Sequence, residues 1–165
     1  MFTWWKLWRL SSRLRSPVAE TRQEAVRRLG QIRDPRVPER LVPLLTDSDT
    51  AVRREAFEAL CQRGPDALPA LLAALNHSDP ERGKVAAELL GRLRDPQTVP
   101  PLMKAMKYGA QPIRANVVRA LEEIGQPAIE ALRNALTDDY PYVRREAAAI
   151  LERLGETISP TKKHE

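Results

Sequence analysis

Residues 51–75, AVRREAFEALCQRGPDALPALLAAL, predict a pair of short helices. Residues 52–60 place their apolar side chains on one face at helical spacing. Gly64-Pro65 then ends the first helix, because glycine tolerates the left-handed closing residue and proline cannot continue a helix. An apolar face resumes over residues 67–75. Each helix is too short to be stable alone, so the pair needs neighbours against which to bury these faces.

The same pattern recurs along the chain. Five first-helix segments, RQEAVRRL, RREAFEAL, GKVAAELL, RANVVRAL and RREAAAIL, end at leucines 30 or 31 residues apart: Leu29, Leu60, Leu90, Leu121 and Leu151. Four second-helix segments alternate with them, VPERLVPLL, ALPALLAAL, TVPPLMKAM and AIEALRNAL. A fixed period of this length predicts stacked helix pairs that share one core. We therefore expect an all-α, right-handed α-solenoid of four helix pairs with a fifth first-helix.

The repeats divide the chain into three parts. Residues 1–15 predict an N-terminal amphipathic helix, residues 16–155 hold the repeat array, and residues 156–165 are expected to form a flexible tail. Lys6 and Arg9 interrupt the apolar run that a signal peptide needs. We therefore expect the mature protein to keep its first part.

The repeat unit resembles the HEAT family. The residues that carry the resemblance are V-R-R-E-A at 52–56 and again at 143–147, L-G-R-L-R-D-P at 90–96, and V-P-P-L at 99–102. In particular, the unit is similar to the short variant, of about thirty residues, found in phycobilisome lyase subunits. This resemblance implies an array that curves, with the second helices lining its concave side.

The resemblance also implies a structural ladder, in which a recurrent arginine and an acid join neighbouring units. The arginine column in this chain is Arg22, Arg53, Arg114 and Arg144. Asp34 and Asp95 are the candidate turn acids. Such charges are usually half-buried and paired, so we expect a structural role for them.

Positive charge is concentrated at one end of the chain. The formal net charge is +5, and Lys6, Arg9, Arg13 and Arg15 contribute +4 without an acid before Glu20. The rest of the chain holds 23 basic and 22 acidic residues. Because this body is nearly neutral, we expect no nucleic-acid partner.

The sequence offers little for catalysis or metal binding. Cys61 is the single cysteine, and the two histidines, His77 and His164, lie far apart. We therefore expect no catalytic residue, no metal site and no cofactor, with Cys61 an inert, buried thiol. One cysteine and short apolar runs favour a cytoplasmic protein, which the N-terminal helix could hold at the inner face of a membrane.

The outward side chains of the second helices predict a partner-binding surface. Its residues are Glu39, Pro69, Leu72, Ala73, Pro100, Met103, Lys104, Glu130 and Asn134. A small apolar centre with charges at both ends suits a helix or an extended segment of another protein. The alternative is that these side chains pack against neighbouring units. Tyr108, Tyr140 and Tyr142, at the loops between units, form a second candidate rim.

The interpretation that follows is a non-enzymatic scaffold that binds a partner protein, not identified by the sequence, on its concave surface. The alternative, which the family resemblance implies, is a subunit of a bilin lyase or isomerase. The chain shows no sequence feature that names a tetrapyrrole.

The N-terminal helix has three competing interpretations. Its candidate interface residues are Trp4, Trp5, Lys6, Trp8, Arg9 and Arg13. It could cap the open end of the core, with Trp4 and Trp8 beside Leu7 and Leu14 on the inward face. It could lie in a membrane interface, where tryptophan prefers the headgroup boundary and cations attract anionic lipid. It could insert into a groove of another protein, since tryptophan and arginine are typical hot-spot residues.

Overall fold

The computed structural model describes the backbone of residues 2–157 and the side chains of residues 5–157. Within this range the chain is all α, with no strand. The helices are α1 Phe2–Arg13, α2 Ala19–Gly30, α3 Val37–Leu41, α4 Thr50–Arg63, α5 Leu68–Leu75, α6 Pro80–Leu93, α7 Val99–Tyr108, α8 Gln111–Ile124, α9 Ile129–Ala135 and α10 Pro141–Arg153. Short 3₁₀ turns cover Val42–Thr46, Gly64–Ala67, Pro96–Thr98 and Gln126–Ala128. The helix pairs confirm the predicted solenoid. The predicted tail lies, from residue 158 onward, outside the described residues.

The core is built from the two leucine columns that the repeat spacing predicts. The five first-helix leucines are each at most 1% exposed. The corresponding second-helix leucines, Leu41, Leu71, Leu102 and Leu132, are fully buried. Since each unit contributes the same positions, the buried columns run continuously from one end of the array to the other.

The second helix of the first unit departs from the regular pattern. α3 ends at Leu41, and the chain continues as a 3₁₀ turn through residues 42–46. Pro43 has no N–H to donate to the carbonyl of Glu39, and its ring collides with that carbonyl in an α-helix. The other second helices have Ala73, Lys104 and Asn134 at the repeat position of Pro43, and they remain α-helical there.

The first helices are not evenly spaced. α2 packs extensively on α4 and α6 on α8, whereas α4 touches α6, and α8 touches α10, over much less of their length. A Cβ built on Gly91 of α6 would lie 2.8 Å from the Ala120 Cα of α8, and one on Gly30 would lie 3.2 Å from the Ala59 Cβ. The equivalent positions at the wide gaps carry larger side chains, such as Cys61 and Leu89 between α4 and α6. Glycine opposite alanine therefore marks the close approaches, and larger pairs mark the gaps.

Candidate interaction surfaces

The nine residues predicted to bind a partner divide into two groups by exposure. Leu72 and Met103 are half-buried and pack against the core, so their side chains are largely committed to the fold. The other seven are exposed on the second helices: Glu39, Pro69, Ala73, Pro100, Lys104, Glu130 and Asn134. The predicted residues therefore form an outward surface on these helices, with Leu72 and Met103 partly exposed beside it.

A groove of about 250 Å³ lies between α3 and α5. We call it the second-helix groove, and its lining residues are Glu39, Val42, Pro43, Pro69, Ala70, Ala73, Ala74, His77 and Arg82. Of the nine predicted residues, Glu39, Pro69 and Ala73 come together in it. The predicted residues of α7 and α9 do not line this groove.

The predicted partner-binding surface did not include the two basic residues of the second-helix groove. His77 and Arg82 line it, and Arg82 Nη1 lies 3.0 Å from His77 Nε2. Within the described residues, the buried Nε of Arg82 has no hydrogen-bond partner. A signal was present in the sequence, because Arg82 occupies the column in which Val52 and Val143 are buried. An arginine in a core column has to turn its charge toward solvent or toward a partner.

The four arginines of the ladder column hold the loop that precedes their own helix. Arg53 donates to the carbonyls of Asp47 and Ser48, and Arg144 to those of Asp138 and Asp139. Arg22 and Arg114 likewise donate to carbonyl oxygens of the loop before α2 and the loop before α8. The column therefore clamps loop backbone within each unit. In the third unit a glycine, Gly83, replaces the arginine.

The prediction that Asp34 and Asp95 are the acids of the ladder is wrong. Asp34 binds Arg36, whose side-chain and backbone N–H groups lower the Asp34 pKa to about 2. Asp95 accepts a hydrogen bond from the Gln97 backbone N–H instead of reaching an arginine of the column. Both acids stabilise the turn that contains them because a nearby N–H group lies within reach of the short aspartate side chain.

Asp47 takes the role expected of a ladder acid. It accepts hydrogen bonds of 2.8 and 2.7 Å from the Nε and Nη2 of Arg22. Burial alone would raise the Asp47 pKa, but the hydrogen bonds from Arg22 and from the Asp49 backbone hold it below its usual value. Asp138 stands in the same loop column and binds Lys107 Nζ at 2.8 Å.

A larger groove of about 690 Å³ opens at the wide gap between α4 and α6. Phe57, Cys61 and Val85 supply apolar side chains to it, and Arg92 lies with its guanidinium carbon 4.9 Å from the Phe57 ring centroid. Burial raises the pKa of the Cys61 thiol, which keeps it protonated and weakly nucleophilic at neutral pH. The sequence did not predict this groove, because it depends on the distance between two helices.

The tyrosine rim is partly assembled. The Tyr108 and Tyr140 rings meet edge to face with centroids 5.9 Å apart. Lys107 Nζ lies 4.9 Å from the Tyr140 ring while it binds Asp138, so the exposed rings cover an ion pair between the end of α7 and the loop before α10. Tyr142 lies elsewhere, half-buried, with the Arg114 guanidinium over its ring.

α1 has one buried face and one exposed face. Leu7 is 1% exposed and Leu14 8%, and α1 packs along α2 at the end of the array. Trp5 and Trp8 are 54% and 59% exposed. The cap interpretation expected Trp8 on the inward face beside these leucines, and that expectation is wrong. Leu7 and Leu14 are buried, and Leu10 packs against the core beside them. The side chain of Trp4 lies outside the described residues.

A third pocket, of about 340 Å³, lies between α1 and α2. We call it the basic pocket, and it is lined by Trp5, Lys6, Arg9, Leu10, Arg13 and Arg28. The Arg9 guanidinium carbon lies 5.3 Å from the Trp5 ring centroid, a cation–π distance. Three of the predicted interface cations thus converge on one pocket, joined by Arg28, which sequence reasoning did not single out.

The described residues lack two further features, a metal-binding cluster and a membrane-spanning helix. They contain no group of three or more His, Cys, Asp or Glu side chains placed to hold a metal ion. None of their helices is long and apolar enough to cross a bilayer. His164 falls outside the described range.

Comparison with known proteins identifies the repeat. The family model described as HEAT repeats matches residues 9–84 and 68–152. A HEAT repeat-containing taxis protein of Halobacterium salinarum is 34% identical over a match that covers 68% of this chain. The chain spans about a third of that relative, since the match covers 34% of its length.

Two solved structures share the architecture. The complex of CpcE and CpcF of phycocyanin lyase from Nostoc sp. PCC7120 is 24% identical, with a TM-score of 0.50, covering 88% of this chain and 63% of that chain. Human deoxyhypusine hydroxylase is 23% identical, with a TM-score of 0.53, covering 90% of this chain and 62% of that one. At these identities the likeness concerns the fold alone.

Proposed function

The chain belongs to the HEAT-repeat family, and from that premise we propose that it is a non-enzymatic scaffold that binds a partner protein on its second helices. In solenoids of this kind these helices form the concave surface. The second-helix groove carries the proposal. Its walls are small and apolar at Pro43, Pro69 and Ala73, with Glu39 on one helix and His77 and Arg82 also lining it.

The chemistry of the groove suits a peptide segment. Prolines and alanines expose little side chain, so a partner backbone can approach the helices closely. Arg82 also lines the groove, and its positively charged guanidinium favours an acidic or carbonyl oxygen from a ligand. A helix or an extended segment with an acidic side chain is therefore the proposed ligand.

The proposal that the chain is not an enzyme is supported by the ion pairs that its carboxylates form. Four carboxylates have a lowered pKa, and each binds a cation: Glu24 binds Arg28 and Arg27, Asp34 binds Arg36, Asp47 binds Arg22, and Asp138 binds Lys107. Ion pairs of this kind stabilise loops and repeat register. A bilin lyase or isomerase subunit is not favoured, since the likeness to phycocyanin lyase extends to the fold alone.

We also propose that the scaffold works in the cytoplasm and that the exposed face of α1 attaches it to a larger structure, either the inner face of a membrane or a protein complex. The exposed Trp5 and Trp8 rings and the +4 charge of residues 1–15 support an attachment surface. The second helices would then remain free for the partner.

The groove is tested by one substitution and a matched control. Ala73→Lys places a long charged side chain in the groove, while Asn134→Lys makes the same change in the same repeat column outside it. Both positions are exposed, so both variants should keep the helical circular dichroism of the wild type. In quantitative affinity capture from cell extract, partners held by the wild type should be lost with Ala73→Lys and kept with Asn134→Lys. Equal capture by all three proteins would refute binding in this groove.

A further inference from the structure

We propose that the exposed face of α1 is an interface with anionic phospholipid membranes, and that the basic pocket receives the phosphate of a lipid headgroup. This inference rests on the proposed attachment through α1. It goes further by naming the occupant and the residues that bind it.

The basic pocket has the charge that a phosphate requires. Lys6, Arg9, Arg13 and Arg28 surround it. Glu24 binds Arg28 at 2.6 Å and Arg27 at 2.8 Å, and its charge also acts on Arg13. Among the described side chains, no carboxylate lies within ion-pair distance of the three α1 cations, so their charges are available to an anion.

The tryptophans distinguish a lipid surface from a soluble anion. A free phosphate would need the cations alone, yet Trp5 and Trp8 are both more than half exposed beside them. Indole has a large apolar ring and one polar N–H, and this combination favours the boundary between headgroups and acyl chains. The Arg9 guanidinium over the Trp5 ring joins the aromatic surface to the pocket.

The fold presents this face already ordered. Leu7 on α1 and Leu14 just after it are buried in the core, so the helix is formed before it meets a bilayer. Binding therefore avoids much of the entropy loss of folding a free amphipathic peptide at the surface. No acid occurs before Glu20, which removes local repulsion from an anionic surface.

The chain contains its own probe for this interface. All three tryptophans are at positions 4, 5 and 8, so tryptophan emission reports on α1 alone. We expect vesicles of equimolar phosphatidylglycerol and phosphatidylcholine, containing brominated phosphatidylcholine, to quench this emission. Vesicles of brominated phosphatidylcholine alone should quench it far less. No quenching by the anionic vesicles, or equal quenching by both kinds, would overturn the proposal.

The pocket is tested by removing two of its cations. In vesicle co-sedimentation, Arg9→Gln with Arg13→Gln should weaken binding by about 25-fold, since each cation near an anionic surface contributes about 5-fold. The control is Arg119→Gln on α8, an exposed arginine far along the chain, which should bind as the wild type does. Unchanged binding of the double variant would refute the pocket.

Further experiments distinguish a lipid from two other possible ligands of the basic pocket, a soluble anion and an acidic protein. Soluble glycerol phosphate should neither shift the emission nor block vesicle binding, and either effect would assign the pocket to a soluble anion. If the double variant instead loses a captured protein and keeps vesicle binding, the occupant is an acidic protein and the lipid proposal fails. Ala73→Lys should bind vesicles normally, so failure of the lipid interface and failure of the second-helix groove can be told apart.

Discussion

Replacing Gly91 by alanine should destabilise the protein, although the same change inside an ordinary helix is stabilising. Alanine has the higher helix propensity by about 1 kcal/mol. In this structure, however, the new Cβ would lie 2.8 Å from the Ala120 Cα and 3.1 Å from the Ala120 Cβ. A backbone atom cannot rotate away, so α6 and α8 must separate along their shared interface.

The size of the loss in stability is the cost of overpacking minus the gain in helix propensity. Overpacking a close interface costs about 1–3 kcal/mol. Contact with a backbone atom places Gly91→Ala in the upper part of this range, about 2–3 kcal/mol. After the gain in propensity, the free energy of unfolding should fall by about 1–2 kcal/mol, and the melting temperature of a chain of this length by about 2–8 °C. Urea denaturation followed by far-UV circular dichroism measures the first quantity, and a thermal scan measures the second.

Gly30→Ala is the matched control, since Gly30 occupies the same repeat column. Its new Cβ would meet mainly the Ala59 Cβ, at 3.2 Å, which a small shift can relieve. The gain and the cost should then nearly cancel, leaving stability within about 0.5 kcal/mol of the wild type. If Gly91→Ala proves as stable as the wild type or more stable, the close approach of α6 and α8 does not govern the spacing of the helices.

Two further predictions concern the cap and the loop clamp. Leu7→Ala should lower the free energy of unfolding by about 2–5 kcal/mol because it empties a buried site, whereas Trp8→Ala should change it by less than about 0.5 kcal/mol; equal losses in urea titrations would contradict the assignment of buried and exposed faces. Because the folded-state pKa of Asp47 is lowered, its ion pair with Arg22 contributes stability above about pH 4, and that contribution is lost as the pH falls through the folded pKa. Asp47→Asn should therefore be less stable than the wild type at neutral pH and should lose less stability on acidification; parallel pH profiles of urea midpoints would show that Asp47 does not contribute in this way.

The site was less predictable than the fold. The fold depends on patterns within a few residues of the sequence, whereas the site depends on distances between helices. The leucine columns and the helix-ending glycine–proline pair are local patterns, and they place the helices correctly. Asp34 was assigned to a ladder from the family resemblance, yet it binds the guanidinium of Arg36, two residues away. Arg82 was left out of the predicted surface, although an arginine in a core column is an anomaly that sequence alone displays. Trp8 was placed inward on the helical wheel, which describes a face of a helix without saying how much of that face its neighbour covers.

The sequence by itself determined the repeat, the helix pairs, the buried leucine columns and the concentration of charge at the N-terminus. These follow from periodicity and composition, which act over a few residues. Only the tertiary structure decided which exposed side chains share a groove, which helices approach closely, and that the cations of α1 meet Arg28 of α2 around one pocket. Those outcomes depend on the separation of helices packed side by side, and that separation is set by pairs such as Gly91 and Ala120 that lie about one repeat apart in sequence.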